Sequence, residues 1–406
     1  MSRLFGEASV ARTVVGVPLA AHDRIRPNAR LLGLLAVGHL VVDTIQGSLP
    51  AFLPFLKTAF NLSYAAAGTI MLMATVTSSI IQPLFGYFSD QLARRWILPV
   101  SVLLAGLGLA LTGLAPSYPV ILVLVVLTGL GVAAYHPEGY RTASSVAGDR
   151  KATGVSWFSL GGNIGIALGP PVITLLVTGF GIRGSLGMLG PALLVSLLLV
   201  GALPVLSAPA PARAAPAAPA PSRTMRAAMA LLILVVMLRS WTQLGFTTFV
   251  PFYYVDHLGA DPRIVGPLLF VFLGAGALGT IIAGPLADRF GARPFMVWAC
   301  LLAAPLAIGF VLAHGALAFV MLGAVGFMLI STFSVSVVLG QAYMPGNLGM
   351  ASGMIVGFAI GAGGLGVTLL GWVADHWGLP TTLWITAVMP LFGFVAALFL
   401  PEPKGR

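Results

Sequence analysis

Residues 86–95 read GYFSDQLARR and residues 284–293 read GPLADRFGAR. Each copy has a glycine, an aspartate four positions later and a basic close, and the second stands 198 positions after the first. Each also follows the second long apolar stretch of its half, so the pair reads as an internal repeat. Between them residues 207–222 read SAPAPARAAPAAPAPS, a Pro/Ala-rich run that cannot form a regular helix and marks a semi-extended linker. A repeat on either side of a linker predicts a chain built twice.

Composition identifies the solvent. Of 406 residues, 58% are hydrophobic and 8% charged, with a mean hydropathy of +1.00, so water cannot face most of this surface. A bilayer core roughly 30 Å thick takes about 20 apolar residues as a helix, since only helices and closed barrels satisfy their own backbone in lipid. Such segments run over 31–56, 63–88, 96–115, 118–143, 152–178, 184–206, 227–255, 264–287, 294–313, 316–343, 349–373 and 381–400. The pattern predicts an all-α membrane protein of twelve transmembrane helices in two pseudo-symmetric six-helix bundles. The predicted divisions are a tail at 1–30, a first bundle at 31–206, the linker at 207–226, a second bundle at 227–400 and a tail at 401–406.

Charge placement sets the orientation. Five arginines of the first tail, with Arg94, Arg95, Arg141, Arg150, Lys151, Arg213, Arg223, Arg226, Arg289, Arg293, Lys404 and Arg406, fall on the side of the termini; Lys57, Arg183 and Arg263 fall on the other. Short cytoplasmic loops are enriched in Lys and Arg, so both termini are expected in the cytoplasm of a cell with this chain in its inner (plasma) membrane. The net charge of +10 is scattered between apolar runs rather than gathered on one face, which argues against nucleic acid as a partner. The first 30 residues are a poor match to a cleaved signal peptide. Cys300, the single cysteine, can form no intrachain disulfide. No metal centre and no cofactor are expected.

Charged side chains near a bilayer centre cost about 2.5–3.5 kcal/mol each on insertion scales, so they should face a cavity and have partners. Asp43 and Arg239 both lie about 12 residues into a predicted span, close to mid-depth. His39 and Asp43, four apart, share a helical face, with Gln46 a turn further. In the fourth span His136, Pro137, Glu138 and Arg141 form a second cluster in which Glu138 and Arg141 can pair. The expected proton carriers are Asp43 and Glu138, with His39 and His136 beside them. Arg239, Gln46, Trp241, Gln243 and Arg141 are the expected substrate contacts.

The Gly–Asp–basic stretch resembles the signature loop of the major facilitator superfamily, the first copy departing from it at Ala93, where glycine is usual. The glycines Gly86 and Gly284 would let helices approach, and Asp90 and Asp288 would cap a neighbouring helix and pair with Arg94, Arg95, Arg289 or Arg293. The resemblance implies a cytoplasmic latch between the halves. Gly161, Gly162, Gly165, Gly169, Pro170 and Pro171 resemble, incompletely, the antiporter pattern of that superfamily. Three further segments, HLVVDTIQG from His39, YHPEGYR from Tyr135, and MPGNLGMASGMIVGFAIGAGGLG from Met344 with GWVADH from Gly371, are similar to the fosmidomycin resistance protein family. That resemblance implies a monomeric, proton-driven exporter of a small, anionic compound such as a phosphonate antibiotic. Proton symport of a small organic anion or sugar phosphate would use the same charges. An embedded enzyme would need a nucleophile, metal triad or cofactor loop, and none appears at convincing spacing.

Overall fold

The computed structural model describes residues 28–82, 84–85, 95–148, 151–206, 223–344, 348–359 and 361–402, apart from the side chains of 151–153, 223–225, 348–349 and 352. Most of both predicted tails and of the linker, with Gly86, Asp90 and Arg94, lies outside these residues. The described chain is helical throughout, with no strand. In the first half, α1 is Ala29–Phe60, α2 is Tyr64–Thr75 prolonged by a π-helical turn Val76–Ile80, and α3 is Ile97–Thr112. Next come α4, Tyr118–Val146, then α5, Lys151–Phe180, and, after a 3₁₀ stretch, α6, Leu189–Leu206. The second half has α7, Arg223–Phe252, with a π-helical turn Tyr253–His257, then α8, Val265–Phe290, α9, Ala292–Leu312, and α10, Ala316–Tyr343.

Helix Leu348–Gly353 and the π-helical turn Met354–Ala359 lead into Gly363–Leu398. Unbroken, that last stretch would be about 54 Å long, nearly twice a bilayer core. Gly378, at φ 81 and ψ 167, breaks it into α11, ending at 377, and α12, 379–398. A backbone of that sign suits glycine, which has no Cβ to clash. Twelve spans result. Gly291, at φ 99, likewise turns the chain from α8 into α9 in a single residue.

The two halves repeat one packing scheme: α5 lies along α1 as α11 lies along α7, and α3 packs on α4 as α9 packs on α10. In lipid no hydrophobic force draws helices together, so tight contact depends on small residues that let backbones meet. On α5, Gly161, Gly165 and Gly169 rest on the carbonyls of Ala36, Leu40 and Thr44 of α1, one turn apart on each helix. Gly363, which stands 198 positions after Gly165, also faces the first helix of its half, where it meets the Ser240 side chain of α7. Between the halves, α2 packs on α11 and α5 on α8, and these seams are symmetry equivalents of one another. Gly68 of α2 approaches the Val367 backbone of α11, and Gly266 of α8 approaches Pro171 of α5.

Gly284, expected to permit close approach, instead has open space where a Cβ would stand. Replacing Gly165 with leucine should therefore destabilise the first half by roughly 1–3 kcal/mol or more, because the Leu40 backbone cannot yield. Gly284→Ala should be neutral. Thermal melting of the two variants in detergent, read by intrinsic fluorescence, checks the contrast; equal melting points would refute it.

Candidate functional site

Asp43 lies between two imidazoles: Oδ2 is 3.3 Å from His39 Nε2 and Oδ1 is 3.1 Å from His136 Nε2. The other ring nitrogens are spoken for, with His39 Nδ1 2.8 Å from the Phe158 carbonyl and His136 Nδ1 2.9 Å from the Val132 carbonyl. A carbonyl only accepts, so these partners assign the ring protons to Nδ1. Each neutral ring then aims a bare Nε2 lone pair at a carboxylate, an arrangement that repels unless a proton sits in the contact. The geometry leaves one proton position in each of the two Nε2–carboxylate contacts.

Three helices build this trio. Helix α1 supplies His39 and Asp43 one turn apart, α4 supplies His136, and α5 supplies the Phe158 carbonyl and a ring stacked 4.1 Å from that of His39. Gly162 of α5 closes the site, for a Cβ there would lie 2.5 Å from His39 Nε2 and 2.7 Å from Asp43 Oδ2. The Tyr135 hydroxyl donates to the Leu35 carbonyl at 3.0 Å and fastens α4 to α1. Among the described residues this is the one His/Asp group with donor atoms within 4.8 Å of one another, a spacing at which a metal ion could also be held. At the equivalent depth of the second half stands Trp241, whose indole N–H donates to the Ala362 carbonyl at 2.8 Å. Trp241, expected at a ligand, therefore packs on α11, with its ring against Gly366.

Glu138 has a partner that sequence spacing did not suggest. The spacing offered Arg141, yet Arg95 Nη1 lies 2.6 Å from Glu138 Oε1, with Thr142 beside the pair. Glu138 is fully buried and Arg95 is 6% exposed. Arg95, expected in a cytoplasmic latch between the halves, turns inward just ahead of α3 to Glu138 of its own half, because a buried carboxylate needs a cation. Arg141 is half-buried one turn along α4 from Glu138.

Arg239, expected in contact with substrate, is 3% exposed within the second half. Its Nη1 donates to the Leu329 carbonyl at 3.3 Å and its Nε has no hydrogen-bond partner. It does not line the central cavity. That cavity, about 170 Å³, lies between the halves and is lined by Gln46 of α1, Thr75 and Ser78 of the second span, Thr128 and Val132 of α4, and Gln243 and Thr247 of α7, among others. None of its described lining residues is charged. Val132 both lines it and accepts from His136, so the trio adjoins the cavity through α4 as well as through Gln46.

The second copy of the repeated stretch is helical rather than a loop, since α8 runs through Asp288 and Arg289 to Phe290. Arg289 lies over the Phe290 ring at 5.2 Å. Arg293 donates to the Leu398 and Leu400 carbonyls and to Glu402, which fastens α9 to the end of α12 within one half.

Known proteins share this architecture. The family model described as Major Facilitator Superfamily matches residues 35–356. The chain belongs to that superfamily, and within it to the fosmidomycin resistance family. The Fosmidomycin resistance protein of Escherichia coli (strain K12) is 32% identical over 397 residues, covering 95% of this chain and 96% of the relative. An uncharacterized MFS-type transporter of Bacillus subtilis (strain 168), YfnC, is 34% identical over 386 residues, covering 93% and 94%. Among solved structures, the nucleoside transporter NupG superposes with a TM-score of 0.76 at 15% identity, covering 91% of this chain and 100% of that one. As a member of the superfamily this chain is a multi-pass membrane transporter of small molecules and not an enzyme.

Sequence reasoning on this facilitator placed His39 with Asp43 but not His136 with them, and it missed Arg95, Phe158 and Thr142 as neighbours. The pair YH at Tyr135 held the available signal, one residue reaching Leu35 and the next Asp43. Arg95→Ala should take the Arg95 cation away from the buried Glu138, costing about 3–5 kcal/mol, whereas Arg95→Ala with Glu138→Leu should recover much of that loss. Chemical or thermal unfolding of the purified variants measures this cycle; additive losses would exclude the pairing.

Proposed function

We propose that this transporter exports a small compound, of the phosphonate-antibiotic kind, in exchange for protons. It would act as a monomer in the plasma membrane with both termini in the cytoplasm. The observation that carries the reading is the His39–Asp43–His136 trio beside an interhalf cavity. Two protons fit its hydrogen-bond geometry, and it adjoins the cavity wall at Gln46 and Val132. The family name of the Escherichia coli relative, 32% identical along nearly the whole chain, supports the substrate class and the outward direction.

Under this reading rocking of one half against the other opens the cavity to each side in turn. Protonation shifts that balance only if protons bind one state better than the other. Protons arriving from outside load Asp43 and its histidines and favour substrate release outward; their departure to the cytoplasm resets the site. Glu138 takes a second role. Its bond to Arg95 holds α3 against α4, and a proton on Glu138 would release it. Gln46 and Gln243 are the substrate contacts within the cavity, and Arg141, further along the helix that carries Val132, is a further cation for the substrate. Arg239 serves an anionic substrate group only in a state that exposes it. Each charge moved through 100 mV contributes about 2.3 kcal/mol to uphill movement.

Asp43→Asn should abolish pH-driven uphill export from proteoliposomes, by about two orders of magnitude in initial rate, while leaving downhill counterflow of preloaded substrate intact. Purified protein reconstituted with a phosphonate and an internal pH-sensitive dye separates the alternatives. Antiport moves protons against the substrate, whereas proton symport, with both entering together, would replace the proposal. Undiminished uphill export by Asp43→Asn would remove that residue from the proton path.

A further inference from the structure

On the face opposite the termini, ionic and hydrogen bonds among the described residues join the two halves where α2 meets α11. Helix α2 begins there, and the N–H groups of a first helical turn have no partner within their own helix. Ser63 accepts from Ala66 N at 3.1 Å. Two further donors are taken by the other half: Asp375, near the end of α11, accepts from Tyr64 N at 2.7 Å and from Ala65 N at 2.9 Å. An anionic carboxylate there also meets the positive end of the helix dipole.

A second carboxylate adds to the joint. Asp256, in the π-helical turn after α7, accepts from the Tyr64 hydroxyl at 3.0 Å and lies 3.2 Å from Lys57 Nζ at the end of α1. The Lys57 ammonium also stands 4.4 Å over the Tyr64 ring, which gathers all four side chains into one cluster. Gly371 makes the approach possible, since a Cβ there would lie 2.5 Å from the Tyr64 carbonyl oxygen.

The spacing has a precedent within the chain. Gly371 and Asp375 are four apart, as are Gly86 and Asp90, and Gly284 and Asp288. This third occurrence lies at the opposite face, and it carries out the task that the sequence assigned to the repeat: a glycine admits a neighbouring helix and an aspartate caps its first turn. Among the described residues the symmetry-equivalent seam shows no such bond at this level, where Gly266 of α8 rests on Pro171 and Thr174 of α5. Toward the terminus face the same α5–α8 seam parts into a cleft of about 370 Å³, lined by Trp157, Asn163 and Ile281, among others.

We propose that Asp375 and the Lys57–Asp256–Tyr64 cluster form a lock that holds the far face shut in the state open toward the terminus face. The lock must break before the cavity opens the other way. This inference rests on alternating access in the proposed function, and its test needs neither substrate nor a proton gradient. The lock works because its donors and acceptors come from opposite halves: separating α2 from α11 leaves the α2 amides to water and Lys57 without Asp256.

Spin labels on Leu114→Cys at the end of α3 and Thr381→Cys at the start of α12, in a Cys300→Ala chain in lipid nanodiscs, report the far-face separation. Asp375→Ala should raise the population at long separation by about fivefold or more, the scale of losing a helix cap. Asp256→Lys should do the same through repulsion of Lys57, and Lys57→Asp with Asp256→Lys should return the distribution toward wild type. An unchanged distribution in both single variants would overturn the lock. Failure of the swapped pair to restore closure, with both singles open, would remove the Lys57–Asp256 bond from it. Retained exchange with a shifted distribution keeps both readings, and lost proton coupling with an unshifted one defeats the lock alone.

Discussion

The contact of α5 with α1 is the constraint from which the site follows. Three glycines one turn apart meet three carbonyls one turn apart, so the helix axes come closer than side chains would allow. That proximity brings the Phe158 carbonyl within reach of His39 and puts Gly162 against Asp43. With bulkier residues on α5 the helices would stand apart and the histidine would lose the partner that fixes its tautomer. Packing that would pass as ordinary in a soluble protein here fixes the geometry of the His39–Asp43 contact.

Low dielectric surroundings impose a second rule, that charge must be matched where it is buried. Arg95 with Glu138, and Asp43 with two histidines, obey it in different ways. The first is a closed pair, fully counterbalanced and without exposure on the carboxylate. The second is open-ended, because each of its two ring–carboxylate contacts has room for a proton and its carboxylate retains some exposure, 13% of the side chain. A closed pair holds helices; an open-ended set can change its charge. Position reinforces the distinction, since the open-ended set adjoins the cavity through Val132, whose carbonyl holds His136.

Much of the architecture was legible because lipid leaves a chain few choices. Apolar length gave twelve spans, and the repeat of Gly86 in Gly284 gave the two halves. Gly378 falls in the gap between the spans expected at 349–373 and 381–400, where Asp375 and His376 interrupt the apolar run. The site was legible only in part. Helical spacing joined His39 to Asp43 because both lie on one helix, and for the same reason it looked for a Glu138 partner only on that residue's own helix. Arg95 approaches Glu138 from another helix, and neither periodicity nor charge count carries that information. Arg239 shows the same limit from the other side: depth in a span placed it at mid-membrane, while rotation about the helix axis turned it toward Leu329 and away from the cavity.

The symmetry of the two halves is a scaffold on which unlike chemistry has been set. Asp43 of α1 corresponds to Trp241 of α7 at the repeat distance, so one half carries a titratable group where the other carries a fixed aromatic. The seams differ in the same spirit, with bonded carboxylates where α2 meets α11 and small apolar contacts where α5 meets α8. A perfectly symmetric molecule would bind protons equally in both halves and resist opening equally on both seams. Under the proton-exchange reading, placing the Asp43 trio in the first half alone gives the gradient its point of action on one side of the symmetry. Confining the ionic contacts to one seam leaves the other free to slide.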